Sequence, residues 1–534
     1  MNASFQSVRF VAVVACLLAA FNAQAQNGSQ FKDWNPPSDE VRLKPKTVCA
    51  DLRSLTGYEL SIISANMISA TTDAPEHCRV SGQILPEIRF EVDLPDSWNR
   101  RLYVFGNGGF AGEPFDAPRR IGPRNLALQR GFAVAATNTG HDAASEPQAT
   151  FTTNQQKLID FAFRSVHTTA ETAKELVRAY YGAKQSHSYF DGCSTGGRQG
   201  LTEAQRFPED FDGILAGAPM LDYVGTMISG VWIYRALAEA PIPSSKLKIL
   251  ADRIYARCDE RDGLKDGLID DPRKCDFAPS RDLPKCPADS DATECFTAKQ
   301  IATLEKIYAD VPSQGKSVFP GWPVGAEVDG PNVFMGANVG HGPGWIPWFL
   351  RDDGIQPLAF MFTEAFFRYM AFPEQDLKYD LVRFDFDKDP TRMTWIRSVM
   401  DATDPDLSRF HSRGGKIVMY HGWADPALNP RMTVEYYEKV AERMGPGTGD
   451  FFRLFMVPGM FHCGTGGVGV NRFDAMTPLV TWVEKGLAPD HVTGAKVVDG
   501  KIVRTRPLCP YPQVARYKGT GSIEDAENFV CRQP

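Results

Sequence analysis

The chain has 534 residues, too many for one simple hydrophobic core, so one large domain with a sizeable insertion, or two domains, is expected. Its 43% hydrophobic and 23% charged residues are those of a globular protein and exclude a largely disordered chain. A net charge of −7 without a long Lys/Arg run excludes the electrostatic footprint of a nucleic-acid partner.

The chain opens on an export signal. Arg9 precedes the apolar run Phe10 to Phe21, and Ala23 and Ala25 fit the small-x-small cleavage rule, giving a signal peptide over residues 1–25. The run is too short for a permanent membrane span. The alternative is lipoprotein cleavage at Cys16, although the apolar run continues past that residue. The implied address is secreted or periplasmic. Of eleven cysteines, Cys16 falls in the signal, and the other ten, an even number, read as disulfides of an oxidising compartment. Proximity favours Cys49–Cys78, Cys258–Cys275, Cys286–Cys295 and Cys509–Cys531, leaving Cys193 with Cys463; buried free thiols are the alternative.

Three β-rich runs, "RLYVFGNGG" from Arg101, "GFAVAATNTG" from Gly131 and "SHSYFDGCS" from Ser186, each end in glycine or a small polar residue. Gln156 to Tyr181 has helical periodicity between two of them, and Arg198 to Phe207 reads as a further helix. Strand, helix, strand predicts an α/β fold with a parallel sheet. The pattern weakens over residues 221–410 and resumes with "GGKIVMYHGWAD" and "FFRLFMVPGMFHC". The expected organisation is a catalytic domain of residues 26–220 and 411–534, interrupted by a lid domain of residues 221–410.

Gly192-Cys193-Ser194-Thr195-Gly196 fits G-x-S-x-G at a strand-to-helix turn, the α/β-hydrolase nucleophile elbow. Ser194 is the candidate nucleophile, and the Thr195 N–H faces the developing oxyanion. A serine needs a base, and the base needs an orienting acid. His462 follows the last apolar strand and Asp425 the one before, so His462 is read as base and Asp425 as acid. His421 is read as structural, bonding loop backbone. If Ser194 meets His462, their neighbours Cys193 and Cys463 come within disulfide reach. The second oxyanion donor is sought in "FGNGGF", at Gly109 or Gly108; simple turn residues are the alternative.

Between Cys258 and Cys275, Asp259, Asp262, Asp266 and Asp270 crowd a loop with Gly263 and Gly267. Four like charges repel unless a cation sits among them. Carboxylates with the Leu264 and Leu268 carbonyls suit Ca²⁺ in a structural role. The alternative is a solvated acidic turn.

"GCSTGG", "HGWADP", "HCG" and the acidic loop together resemble the tannase and feruloyl esterase family, over nearly all of the chain after the signal. That resemblance implies a secreted α/β-hydrolase with a large inserted, calcium-binding lid, cleaving esters of aromatic acids. It implies the Ser194, Asp425, His462 triad, the Cys193–Cys463 disulfide, and Ca²⁺ at Asp259, Asp262, Leu264, Asp266 and Leu268. The expected partner is a small aromatic ester: feruloyl or hydroxycinnamoyl first, with galloyl esters or mono(2-hydroxyethyl) terephthalate as alternatives. A serine peptidase, and a calcium-dependent binding module with an inactive hydrolase core, are the rival readings. In the lid, Trp345, Trp348, Phe349, Phe366, Phe367 and Tyr369 are candidates for stacking on a substrate ring, with core packing as their ordinary role. Arg351 and Arg368 are candidates for a substrate carboxylate, with surface ion pairing as theirs.

Overall fold

The computed structural model describes residues 31–36, 40–327, 331–333, 341–350 and 354–534. The expected signal peptide and Arg351 lie outside the described residues. Nine strands form one mixed sheet: β1 (Leu60–Ile68), β2 (His77–Ile84), β3 (Ile88–Pro95), β4 (Arg101–Phe105), β5 (Ala133–Thr137), β6 (His187–Cys193), β7 (Gly213–Gly217), β8 (Lys416–Gly422) and β9 (Phe452–Val457). Their order is β1-β2-β3-β5-β4-β6-β7-β8-β9. From β5 to β9 every neighbouring pair is parallel. The central strands β4, β5 and β7 are buried on both faces, which is why they read as unbroken apolar runs. The antiparallel strands β1 to β3 extend one edge, and the half-exposed β1 ends it.

Helices α1 (Pro118–Gln129), α2 (Ser165–Tyr181) and α3 (Thr195–Arg206) follow β4, β5 and β6. The helical stretch expected from Gln156 to Tyr181 is interrupted by one π-turn at Asp160–Arg164. The reason lies in α3. Arg198 is fully buried, and its guanidinium donates to the Ala162 and Phe161 carbonyls at 2.7 and 3.2 Å, and to the Met400 carbonyl at 3.3 Å. The widened turn supplies carbonyls to a buried cation, a tertiary demand that periodicity does not register.

Between β7 and β8 the chain leaves the sheet for about two hundred residues, including α4 (Tyr223–Glu239) and α5 (Leu358–Tyr369). The excursion has a narrow neck, where the Ala402 N–H donates to the Leu221 carbonyl at 2.8 Å. Arg397 bridges Asp222 and Asp401 at 3.2 and 3.1 Å beside it. Trp345, Phe360, Phe366 and Phe367 fill this region's interior. Helix α6 (Pro430–Met444) joins β8 to β9, and α7 (Met476–Lys485) packs against β7 and β8. All five disulfides pair as expected, with Cα–Cα distances between 5.0 and 6.0 Å. No helix among the described residues is long and apolar enough to cross a membrane.

Candidate active site

Strand β6 delivers Ser194 to a sharp turn before α3. Its φ of 65° and ψ of −122° lie where a non-glycine residue is strained. Flanking glycines make the turn possible by close approach. A Cβ on Gly192 would lie 2.5 Å from the Gly196 carbonyl carbon, and one on Gly196 would lie 3.0 Å from the Asn107 oxygen. The serine main chain is pinned on both sides: its N–H donates to the Gly217 carbonyl at 2.9 Å, and its carbonyl accepts from Met220 at 3.2 Å.

Asp425 follows β8 and is 1% exposed. Four donors converge on it. Oδ1 accepts from the Ala427 and Leu428 N–H groups at 2.7 and 3.0 Å. Oδ2 lies 2.7 Å from His462 Nδ1 and 3.0 Å from His421 Nε2. Burial alone would raise the pKa of this carboxyl. The charge of His462 and the hydrogen bonds from His421 and His462 outweigh burial and hold it well below the usual carboxylate range. His462, also 1% exposed, follows β9 in a loop where Cys463 takes a φ of 52°. The Cys193–Cys463 bond sets the two chain segments 6.0 Å apart at Cα.

His421 does bond loop backbone, the Leu428 carbonyl at 3.2 Å, but it also bonds Asp425. Both Nε2 partners are acceptors, so that nitrogen carries the proton, and Nδ1 meets the Thr433 hydroxyl at 2.7 Å. The i, i+4 spacing of His421 and Asp425 was the available signal for this contact.

Gly109 lies beside the elbow, its carbonyl accepting from Thr195 Oγ1 at 2.6 Å. Asn107 N–H, from the same loop, donates to Gln199 of α3 at 3.0 Å. Gly108 faces Arg119 instead: a Cβ there would lie 2.7 Å from Nη1.

Ser194, Thr195, Gly109 and His462 line one narrow cavity of about 60 Å³. Its remaining wall is mostly apolar and comes mainly from the excursion, with Tyr223, Met227, Trp322, Trp348, Phe349 and Phe362 prominent, and is completed by Ala427 and Leu428 of the loop after β8. Of the expected stacking candidates, Trp348 and Phe349 line it, and the Trp348 ring stands edge-on to His462 with centroids 6.0 Å apart. Trp345, Phe366 and Phe367 are core. Tyr369 lines a separate hollow with Phe372 and Trp395. Arg368 pairs with Glu364 at 3.1 Å. A larger hollow of about 820 Å³ lies against the C-terminal hairpins and holds none of the candidate catalytic residues.

In the acidic loop, Asp259 Oδ1 accepts from the Asp266 and Gly267 N–H groups at 3.1 and 3.0 Å. Burial, with repulsion from neighbouring aspartates, pushes Asp262 up to about 6 and Asp270 up to about 7. Asp266 Oδ2 accepts from Arg506 at 2.6 Å, a contact from the far C-terminus that the sequence does not announce. Elsewhere, His167, Glu203 and Asp210 bring three ligand-type atoms within 4.8 Å of one another.

A serine on a sharp turn at the carboxyl end of a parallel strand, with a hydrogen-bonded aspartate and histidine on the loops after two later strands, is the arrangement of an α/β-hydrolase fold. Residues 72–532 match the tannase and feruloyl esterase family, and the chain belongs to it. It is a carboxylic ester hydrolase. It is 36% identical to the mono(2-hydroxyethyl) terephthalate hydrolase of Piscinibacter sakaiensis, over 86% of this chain and 85% of that one. Among solved structures it resembles an esterase from Aspergillus oryzae at 26% identity and TM-score 0.76, covering 91% of this chain and 99% of that one. It also resembles feruloyl esterase B from Aspergillus oryzae at 27% identity and TM-score 0.75, covering 90% and 98%.

Proposed function

We propose that this protein is an exported serine esterase that hydrolyses esters of aromatic acids through Ser194, His462 and Asp425. The observation that carries this reading is the buried 2.7 Å contact of His462 with Asp425, in a loop stapled to the serine's own turn. His462 takes the Ser194 proton as Oγ attacks the ester carbonyl, then returns it to the departing alcohol. Asp425, fixed by four donors, selects the His462 tautomer and stabilises its charged form. The Thr195 N–H and a Gly109 N–H receive the oxyanion, with Gly108 the weaker candidate because it faces Arg119. Water then releases the aromatic acid. Residues 221–410 act as the lid domain that walls the cavity, on the core of residues 26–220 and 411–534.

The acidic loop holds a structural Ca²⁺ through Asp259, Asp262 and Asp266 with the Leu264 and Leu268 carbonyls. The raised carboxyls of Asp262 and Asp270 support this, because crowded acids of that kind are stabilised by a cation. The Arg506 contact neutralises only one Asp266 oxygen. Five disulfides and the expected signal peptide support a secreted or periplasmic address.

The substrate class comes from the relatives, which act on feruloyl esters and on mono(2-hydroxyethyl) terephthalate. Hydroxycinnamoyl esters are the first choice, with galloyl and terephthalate esters as alternatives. The test is acid release from methyl ferulate, methyl gallate and mono(2-hydroxyethyl) terephthalate, followed by chromatography. Release from at least one is expected, with strong preference among them. No release from any of the three contradicts the aromatic-ester reading.

A further inference from the structure

The cavity that holds Ser194 and His462 contains few polar groups, and nearly all are already committed. Thr195 Oγ1 donates to the Gly109 carbonyl at 2.6 Å. Thr226 Oγ1 donates to the Asp222 carbonyl at 2.8 Å, and Thr363 Oγ1 to the Ala359 carbonyl at 2.7 Å, both back onto their own helices. Tyr223 differs. It is 1% exposed, lines the same cavity, and its hydroxyl makes no hydrogen bond among the described residues.

A buried phenol ordinarily finds a partner. Trp345 Nε1 and His141 Nε2 are sealed in the interior without one, but the Tyr223 oxygen is not sealed in this way. It therefore opens on the cavity that its ring lines. The ring itself is fixed. Asp222 caps α4 by accepting the Gly225 N–H at 2.7 Å, the Phe366 ring lies 5.8 Å away, and the Arg198 guanidinium sits 6.0 Å from the ring centre. Around it, Met220, Met227, Trp322 and Phe362 give apolar walls suited to a flat ring. A fixed hydroxyl on such a wall discriminates, because a ligand without a matching polar atom leaves it dry and unpaired.

We propose that Tyr223 is the specificity-determining residue of the acyl pocket: its hydroxyl hydrogen-bonds an oxygen carried by the aromatic ring of the acyl group, so acids hydroxylated on the ring are preferred over unsubstituted ones. This rests on the aromatic-ester reading above and narrows it. Tyr223 acts on binding of the acyl ring and takes no part in the proton transfers at Ser194.

The test separates binding from turnover. The Ser194→Ala protein is titrated with methyl cinnamate and with its three ring-monohydroxylated isomers, in the Tyr223 and the Tyr223→Phe background, after matching melting curves confirm that both fold. The best hydroxylated isomer should bind about tenfold more tightly than methyl cinnamate, the range of one neutral hydrogen bond, and Tyr223→Phe should bring that ratio near one. The same ratio should appear in kcat/KM for the protein with Ser194 intact. No discrimination in the Tyr223 background, or discrimination that survives in Tyr223→Phe, overturns the assignment. Discriminating binding without hydrolysis of any ester would uphold Tyr223 while sinking the esterase reading, so the two failures are distinguishable.

Discussion

Removing the Cys193–Cys463 bond, by Cys193→Ala with Cys463→Ala, separates two things the bond does. It closes a loop of 270 residues, for which chain entropy sets a ceiling of roughly 5–6 kcal/mol on the stabilisation. Strain relief and residual structure in the unfolded chain reduce this, so a loss of about 3–5 kcal/mol is expected, read from the shift of the urea midpoint. The bond also fixes the serine turn against the histidine loop. Misplacement of reacting groups by about 1 Å costs on the order of a hundredfold in rate. At a temperature well below the variant's own transition, kcat should therefore fall about ten- to a hundredfold, with KM little changed. A variant that loses stability yet keeps kcat within about twofold would refute the reasoning. It would mean that the Thr195–Gly109 and His462–Asp425 contacts hold the geometry alone, and that the bond acts only on the unfolded chain.

Other outcomes follow from the same geometry. His421→Phe deletes one of the four donors on Asp425, a bond to a charged group worth about 1.5–3 kcal/mol, so kcat/KM should fall at least about tenfold; unchanged kinetics would show that Asp425 does not depend on His421. Asp191 is pushed up to about 7 by burial, partly opposed by the Tyr103 hydroxyl at 2.6 Å. Below about pH 4 it is protonated in folded and unfolded chains alike. Between about pH 4 and 7 only the unfolded chain ionises, so this group's stability contribution is lost as pH rises, on the order of 4 kcal/mol in all. Asp191→Asn should gain on the parent protein across that window in urea midpoints, and a gap independent of pH would contradict the shift. Chelation of Ca²⁺ should lower the melting temperature by several degrees, reversed by added Ca²⁺; an unchanged transition counts against a structural ion.

The elbow was legible because its constraints are local: a serine between glycines, a strand before and a helix after. The loop positions of Asp425 and His462 followed from chain order in the α/β-hydrolase pattern, and the Cys193–Cys463 pair from where those loops must meet. Strand β1 escaped because exposed positions fall on both of its faces, whereas β2 alternates buried and half-buried residues from Cys78 to Ile84 and carried a usable two-residue period. The π-turn escaped because its cause, Arg198, lies in another helix. Arg506 reaches Asp266 across 240 residues, and no local pattern reports such a contact. Tyr223 was hidden for a different reason: at the start of an apolar helix a tyrosine reads as core, and only the absence of a partner for its hydroxyl sets it apart.

The central claim, that Ser194 carries the acyl group, is tested most directly by trapping it. The purified protein is treated with a serine-directed phosphonate ester, and intact mass and peptide mapping locate the adduct. The account predicts one adduct per chain on Ser194, loss of esterase activity in step with labelling, and neither adduct nor activity in Ser194→Ala. Labelling at another residue with loss of activity, or ester hydrolysis that survives in Ser194→Ala, would contradict it.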